Sequence, residues 1–525
     1  MRRSLHVLAA VTLAVSGAAA LAGGQALAGQ PAGRTPSVLL VCNGSTRACP
    51  STTTKLFPTV QSAVNAAKPG DWILIWPGVY HENTPQWKAG VWVGTPDLHI
   101  RGRDRNGVII DGSNGTARRP CPSSPSLQNF APRNGIEVVA SGVSVENLTV
   151  CDYLGSKGTA GNEIWWNGRD GSGKIGMGSY TGSYLTATAT YHPAFHKGVK
   201  PVSTHFAQYG IFVSNARGPG EISHSYASNM ADAAYYVGAC QRVCHALLFM
   251  DVGTNSALGY SGTNAGGPLV IRGSTFADNR TGLAPNSLNN DDAPPPQDGR
   301  CRHSSRSCML IENNFISNNN NPNVPLFGLT PAIGAGIEIS GGAYDTVRNN
   351  LISRQGSWGV VIHDYPDSEK PPPASHCQGG FTNVNFLGMK VCDFPARGNL
   401  VYNNRFSRVG FFGNASNSDL ATVGILPKSP TPRNCFYGNV AGGGRTATSS
   451  PAHIERSSVD GRPCQRRGTY ANLPVLLQLL CAALGQCSTG TKYPVQTKLV
   501  VLPLPKLTTM ARPCAGVPAN DFCRV

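Results

Sequence analysis

Apolar residues recur along this chain in short alternating runs, each closed by polar corner residues. Gly336-Ile337-Glu338-Ile339 and Gly359-Val360-Val361-Ile362 stand 23 residues apart, with Val347-Arg348-Asn349-Asn350-Leu351-Ile352-Ser353 between them. A strand, an Asn-bearing corner, a second short strand and a loop back to the first motif need about that many residues, and repeats of about 20 to 50 residues mean a stacked array. The pattern predicts coils of a right-handed parallel β-helix. Further coils read Gly135-Ile136-Glu137-Val138, Gly210-Ile211-Phe212-Val213, Ala234 to Val237, Val270 to Phe276 before Gly282-Leu283, Ile311-Glu312-Asn313-Asn314-Phe315, and Val401 to Phe406. The corner Asn has a physical reason. Its amide can bond backbone groups and its counterpart in the next coil, and Asn tolerates left-handed backbone angles.

Near the start, Val60, Ala63, Val64 and Ala67 follow helical spacing, with Thr59 as N-cap and Lys68-Pro69-Gly70 as the stop. Trp72-Ile73-Leu74-Ile75-Trp76 reads as the first buried strand. The helix is expected to cover the open end of the coil, because a repeat array must cap its terminal cross-section. Arg2 and Arg3, an apolar run from Val7 to Leu21 and Ala26-Leu27-Ala28 form a secretory layout, so residues 1–28 read as a signal peptide. The rest divides into a Cys-closed leader at 29–55, the β-helix at 56–440 with an insertion at 154–206, and a Cys-rich cap or tail at 441–525. No later segment has the length of a membrane span, and Leu473 to Leu484 reads as a buried helix.

Composition sharpens this picture. The 61 glycines and only 14% charged residues suit short strands joined by tight corners. All 16 cysteines follow the signal and fall into near neighbours: Cys42/Cys49, Cys121/Cys151, Cys240/Cys244, Cys301/Cys308, Cys377/Cys392, Cys435/Cys464, Cys481/Cys487 and Cys514/Cys523. An even count in an exported chain favours disulfides, and no two CxxC pairs face each other as a zinc site requires. Formal net charge is +16, and +14 without Arg2 and Arg3. A basic extracellular monomer is expected to meet acidic polysaccharide or cell-wall polymer. Nucleic acid is disfavoured, since no basic run with interleaved aromatics occurs.

Val60-Gln61-Ser62-Ala63-Val64-Asn65-Ala66-Ala67-Lys68-Pro69-Gly70-Asp71, followed by Pro77-Gly78-Val79-Tyr80-His81-Glu82, resembles the start of pectate-lyase-like proteins of the right-handed parallel β-helix superfamily. The resemblance extends to about Val440. In that superfamily the Asn corner separates the second and third sheets, which implies that the Gly-Ile strands form the first sheet, the one bearing the polysaccharide cleft of the family's enzymes. Alternation then points Glu137, Phe212, Tyr236, Ala284, Glu338 and Val361 outward, with Ser214, Asn286, Ser340 and His363 one step further along.

Two groups flank that face. Asn289-Asn290-Asp291-Asp292 and His363-Asp364-Tyr365-Pro366-Asp367 offer the clustered oxygens that Ca²⁺ requires, and Ca²⁺ bridging a uronate carboxylate is what the resemblance implies. The competing reading is solvated loop residues. On the other side, Arg280, Arg354 and Arg408 occupy similar loop contexts and are expected to stack as a ladder whose guanidinium forks suit carboxylates. The expected lyase chemistry, β-elimination, sets Arg354 or Arg280 near the C5 proton, with His363 assisting and Asp364, Asp367 and Glu338 holding calcium or charge. Arg408, Tyr236 and Phe212 would bind substrate. The alternative is a non-catalytic surface or wall-associated protein that grips glycan or protein with the same face. Trp165-Trp166, Tyr180, Tyr184 and Tyr191 lie in the insertion and read either as sugar-stacking rings or as its own small core. The polygalacturonase motifs and the epimerase Asp-Pro-His-Asp are absent, so no activity transfers residue by residue.

Overall fold

Each coil of the chain lays down three short strands, and like strands stack in parallel register from coil to coil. The structure, a computed structural model, describes residues 34–524 apart from 84–88, 132–133, 156–160, 169–174, 194–204, 241–242, 287–307, 327–330, 368–380, 387–388, 425–433, 456–457, 460–461, 464–471, 485–486 and 488–489. The signal peptide read at 1–28, together with Asp291 and Asp292, lies outside those residues. Among the described residues the first sheet holds 11 strands, the second 13 and the third 12. This is the right-handed parallel β-helix that the spacing predicts. Within residues 335–363 the path runs Ala335–Ser340 in the first sheet, Thr346–Arg348 in the second, Leu351–Ser353 in the third, then Trp358–His363 back in the first.

Alternation places one side of each strand inside the tube. Leu283, Ile337, Val360 and Leu420 follow one another in register and are all fully buried, each such side chain contributing about 1.5–3 kcal/mol. The glycine before the inward Ile answers a close approach. A Cβ on Gly336 would lie 2.6 Å from the Gly359 carbonyl oxygen.

The corner asparagines form a buried ladder. Backbone N and Nδ2 of Asn350 both donate to Oδ1 of Asn404, at 3.0 and 2.9 Å, while the same Nδ2 donates to Ile311 O behind it. Asn314 repeats this toward Asn350 and Asn404 toward Asn439, until Glu455 accepts the last pair. Asn313, Asn349 and Asn403, just before these rungs, take the left-handed backbone, with φ of 55°, 55° and 54°.

Val60–Ala66 forms the capping helix, with Thr59 Oγ1 accepting from Ser62 N. Glu82, last residue of the Pro-Gly-x-Tyr-x-Glu motif, reaches back to accept from the backbone N of Val60 and Gln61. Two spans differ from the sequence reading. Val38–Val41, in the supposed leader, pairs parallel with Trp72–Ile75. The span 154–206 is not simply an insertion: Gly161–Asn167, Tyr180–Ser183 and Thr186–Thr188 join the first, second and third sheets. That coil was hidden because Glu163-Ile164 replaces Gly-Ile and Tyr184, not Asn, turns its corner.

The bridges Cys42–Cys49, Cys121–Cys151, Cys240–Cys244, Cys481–Cys487 and Cys514–Cys523 are formed as expected. Cys308, Cys392 and Cys435 are also disulfide-bonded; their expected partners Cys301, Cys377 and Cys464 lie outside the described residues. Among the described residues no helix is long and apolar enough to cross a membrane.

The C-terminal region does two things. Helix Leu473–Leu484 lays Val475, Leu479 and Ala482 on Ala335, Trp358, Val361, Ala421 and Val423 of the first sheet. The remaining chain then runs back along the coils. Lys492 N donates to Asn414 Oδ1, Val500 N to Asn323 O, Leu507 N to Asn106 Oδ1 and Met510 N to Asn147 Oδ1, and Phe522 ends buried against Leu40, Leu74 and Trp76.

Candidate functional site

Register fixes the outer face of the first sheet as a column running Trp92, Glu137, Trp165, Phe212, Tyr236, Ser261 and Ala284, then Glu338, Val361 and Ala421. Strands in a sheet lie about 4.8 Å apart, so neighbouring rings touch. Trp165 stacks on Phe212 with centroids 4.9 Å apart and an interplanar angle of 12°. Tyr209 lies 4.5 Å from Phe212 and 5.2 Å from Tyr236, and Tyr236 meets Phe212 edge-on at 4.8 Å. Four aromatic rings from three consecutive coils thus form one platform. Trp165, Tyr209 and Phe212 remain partly exposed.

Polar groups frame the rings. Glu137 accepts from Asn134 Nδ2 and Asn167 Nδ2, both at 2.9 Å. At the other side Asp232 accepts from Tyr209 Oη at 2.8 Å and Gln208 Nε2 at 3.3 Å. Burial raises the Asp232 carboxyl above its usual range, and those two bonds oppose the rise. Trp165 Nε1 donates to Ser214 Oγ at 3.0 Å, which fixes the indole plane. The arrangement suits a polymer of flat-faced sugar rings, which present C–H surfaces to aromatic faces and hydroxyls to carboxylate and amide.

Phe212 and Tyr236 stand where alternation put them. Of the two readings of Trp165, the outward ring holds, and the register Trp165↔Phe212 follows once Ile164 is aligned with Ile211; Tyr209, Gln208 and Asp232 were missed. Trp166 is buried in the core.

The remaining candidates divide. His363 and Glu338 meet on the outer face, Nε2 to Oε1 at 3.1 Å, while His363 Nδ1 faces the Asp364 carbonyl oxygen at 2.7 Å. Burial pulls the imidazole down, but its bond to Glu338 and that carboxylate's charge outweigh burial, so the net shift is upward. Both ring nitrogens face acceptors, which a doubly protonated ring satisfies. Arg280 is 7% exposed and donates to Pro331 O and to Ala482 O of the C-terminal helix, at 3.0 and 2.9 Å. Burial pulls it down to about 10, with Glu338 opposing.

The three-arginine ladder is not formed. Ala277, Ser317, Ser353 and Ser407 share one register, so Arg354 and Arg408 align with Asp278 and Asn318, while Arg280 falls two positions later. Arg354 and Arg408 are exposed at left-handed corners, with φ of 54° and 55°. Arg354 precedes the strand that His363 ends, so the two are separated by at least the strand's length, roughly 16 Å at about 3.3 Å per residue.

Asp364 is fully buried and its Oδ1 accepts from Ala396 N at 3.1 Å, at the foot of an antiparallel hairpin where Asp367 lies opposite Cys392. Among the described residues the group of acid, His and Cys side chains close enough to share a metal is Asp111, Cys121 and Cys151, and its two cysteines are bonded to each other. Asp364 and Asp367 do not join such a group, and one Asp364 oxygen is committed to the backbone.

No known family profile matches the chain, and no curated protein matches it. Solved structures do. The A-module of a mannuronan C-5 epimerase from Azotobacter vinelandii is 11% identical, with 73% of this chain and 86% of that one covered at a TM-score of 0.36. A rhamnogalacturonan lyase is 12% identical, covering 70% and 82% at 0.40. A tailspike protein of E. coli bacteriophage HK620, solved with a pentasaccharide, is 9% identical, covering 78% and 68% at 0.41. These are likenesses of fold.

Proposed function

We propose that this is an exported β-helix protein that binds polysaccharide along the outer face of its first sheet. The observation behind this reading is the contiguous platform of Trp165, Phe212, Tyr209 and Tyr236, framed by Glu137 and Asp232. Export is supported by the signal layout at 1–28 and by the disulfides, which persist in oxidising compartments. An acidic polymer is the favoured class because of the net positive charge.

Cleavage by β-elimination is the catalytic form of this reading. It finds a proton-handling pair in His363 and Glu338, but Arg280 is covered by the helix and Arg354 lies at the far end of the strand. Calcium held by Asp364 and Asp367 belongs to that form. Affinity electrophoresis through alginate, polygalacturonate and neutral glycans, paired with absorbance of unsaturated products, tests both. Retarded mobility lost in Trp165→Ala supports the platform; equal mobility of wild type in every gel overturns it. New absorbance on a uronate, with or without Ca²⁺, establishes the lyase form, and its absence on every uronate leaves binding alone.

A further inference from the structure

Two guanidinium groups share one ring at the start of the coil. Arg47 lies 5.1 Å and Arg103 5.8 Å from the centroid of Trp76, whose indole is 4% exposed. Cation–π attraction holds the two groups to the ring but does not neutralise either charge. Arg103 also borders a surface cavity of 410 Å³ lined by Arg512, Pro513, Cys514, Ala515 and Cys523, where the returning C-terminal segment crosses the first coils. Arg103 is thus common to two pairs of cations, with Arg47 over the Trp76 ring and with Arg512 in the wall of the cavity.

The neighbouring arginine shows what a compensated charge looks like there. Arg101, two residues earlier, lies over Trp72 but also binds Glu146 at 2.7 Å and donates to Ala515 O. Arg103 contacts Cys514 Sγ and, among the described residues, pairs with no carboxylate. Burial lowers its proton affinity and the charge of Arg47 lowers it further. Like charges repel, and an anion seated against them relieves that repulsion.

We propose that this junction is an oxyanion-binding site, with Arg103 and Arg512 as its cations, the cavity they line as its seat and Arg47 adding positive charge across the Trp76 ring, taking a carboxylate, sulfate or phosphate group. It stands apart from the aromatic platform and does not depend on that reading. Guanidinium forks bind such groups bidentately, and the site exists only when the C-terminal segment is docked.

The test uses the full chain at constant ionic strength. Thermal melts with sodium sulfate or phosphate against sodium chloride should show a saturable rise in Tm, and polygalacturonate should compete if polymer-borne carboxylates are accepted. Arg103→Gln should weaken the response at least about tenfold, as loss of a charge-assisted bond predicts, and so should Arg512→Gln at an exposed position that threatens folding little. Arg118→Gln, exposed elsewhere, should respond as wild type. A response equal in all variants, or none in wild type, overturns the site. Failure of polygalacturonate alone with an intact sulfate response restricts the site to small anions and leaves the platform untouched.

Discussion

The same face of the same sheet is open and aromatic in its earlier coils and roofed in its later ones. Around Trp165, Tyr209 and Phe212 the face presents partly exposed rings, with Tyr236 packed beneath their edge; around Val361 and Ala421 it is small and apolar, and helix Leu473–Leu484 lies upon it. The difference teaches that a periodic backbone does not make a periodic surface. Outward positions are free of the core's demands, so one stretch can recognise a ligand while another receives the chain's own terminus.

Several measurements can break or sharpen that contrast. The largest effect is expected from Trp165→Ala combined with Phe212→Ala, which should weaken glycan retention by about thirtyfold or more, the weight of removing a binding hot spot of about 2 kcal/mol. Val361→Ala, beneath the roof, should leave retention unchanged in the same gels. Reversed results would mean that the covered half is the binding face. Next, Leu479→Ala removes a buried contact of the roof, so urea denaturation should show a loss of about 2–5 kcal/mol with glycan binding intact. Full stability in that variant would show that the helix is not seated.

The smallest expected effects concern pH, and the two regions should respond in different windows. Asp152, buried beside Asp111 in the coils leading to the platform, is pushed from 3.8 up to about 8, by burial first and by the Asp111 charge second. The folded chain then holds a proton that the unfolded chain releases. The associated stability is complete below about pH 3.8 and is lost as pH rises toward about 8. Asp152→Asn should flatten this decline in Tm. His363, at the roofed end, is raised above 6.5 by Glu338 in spite of burial, so its share is complete below pH 6.5 and is lost as pH rises through the folded value. His363→Gln should therefore lower Tm below pH 6.5 and flatten its fall above that pH. Identical pH profiles for the two variants would refute the separate assignments.

Much of the coil was legible in the sequence because its rules are local. Asn314, Asn350 and Asn404 announce corners, and Gly336-Ile337 announces a strand that must pass close to its neighbour. The alternation that sets Phe212 and Tyr236 outward needs only a strand's period. Trp165 was assigned to an insertion and not to a row with Phe212, because its coil has neither signature. Arg280 was misplaced because matching loop motifs ignored the strand register, which puts Asp278 opposite Asn318 and Arg354. The roof and the returning segment rest on contacts between residues hundreds of positions apart, and no local periodicity encodes them.

Linear arrays of repeats ordinarily peel from either terminus, since each unit is held by its neighbours alone. Here Phe522 is buried against Leu40, Leu74 and Trp76, and Asp521 accepts from Thr54 Oγ1, so the returning segment is moored to the earliest described strands. The molecule is wired as a closed circuit. Loosening the far end pulls on the near one, which couples fraying at both ends into a single event.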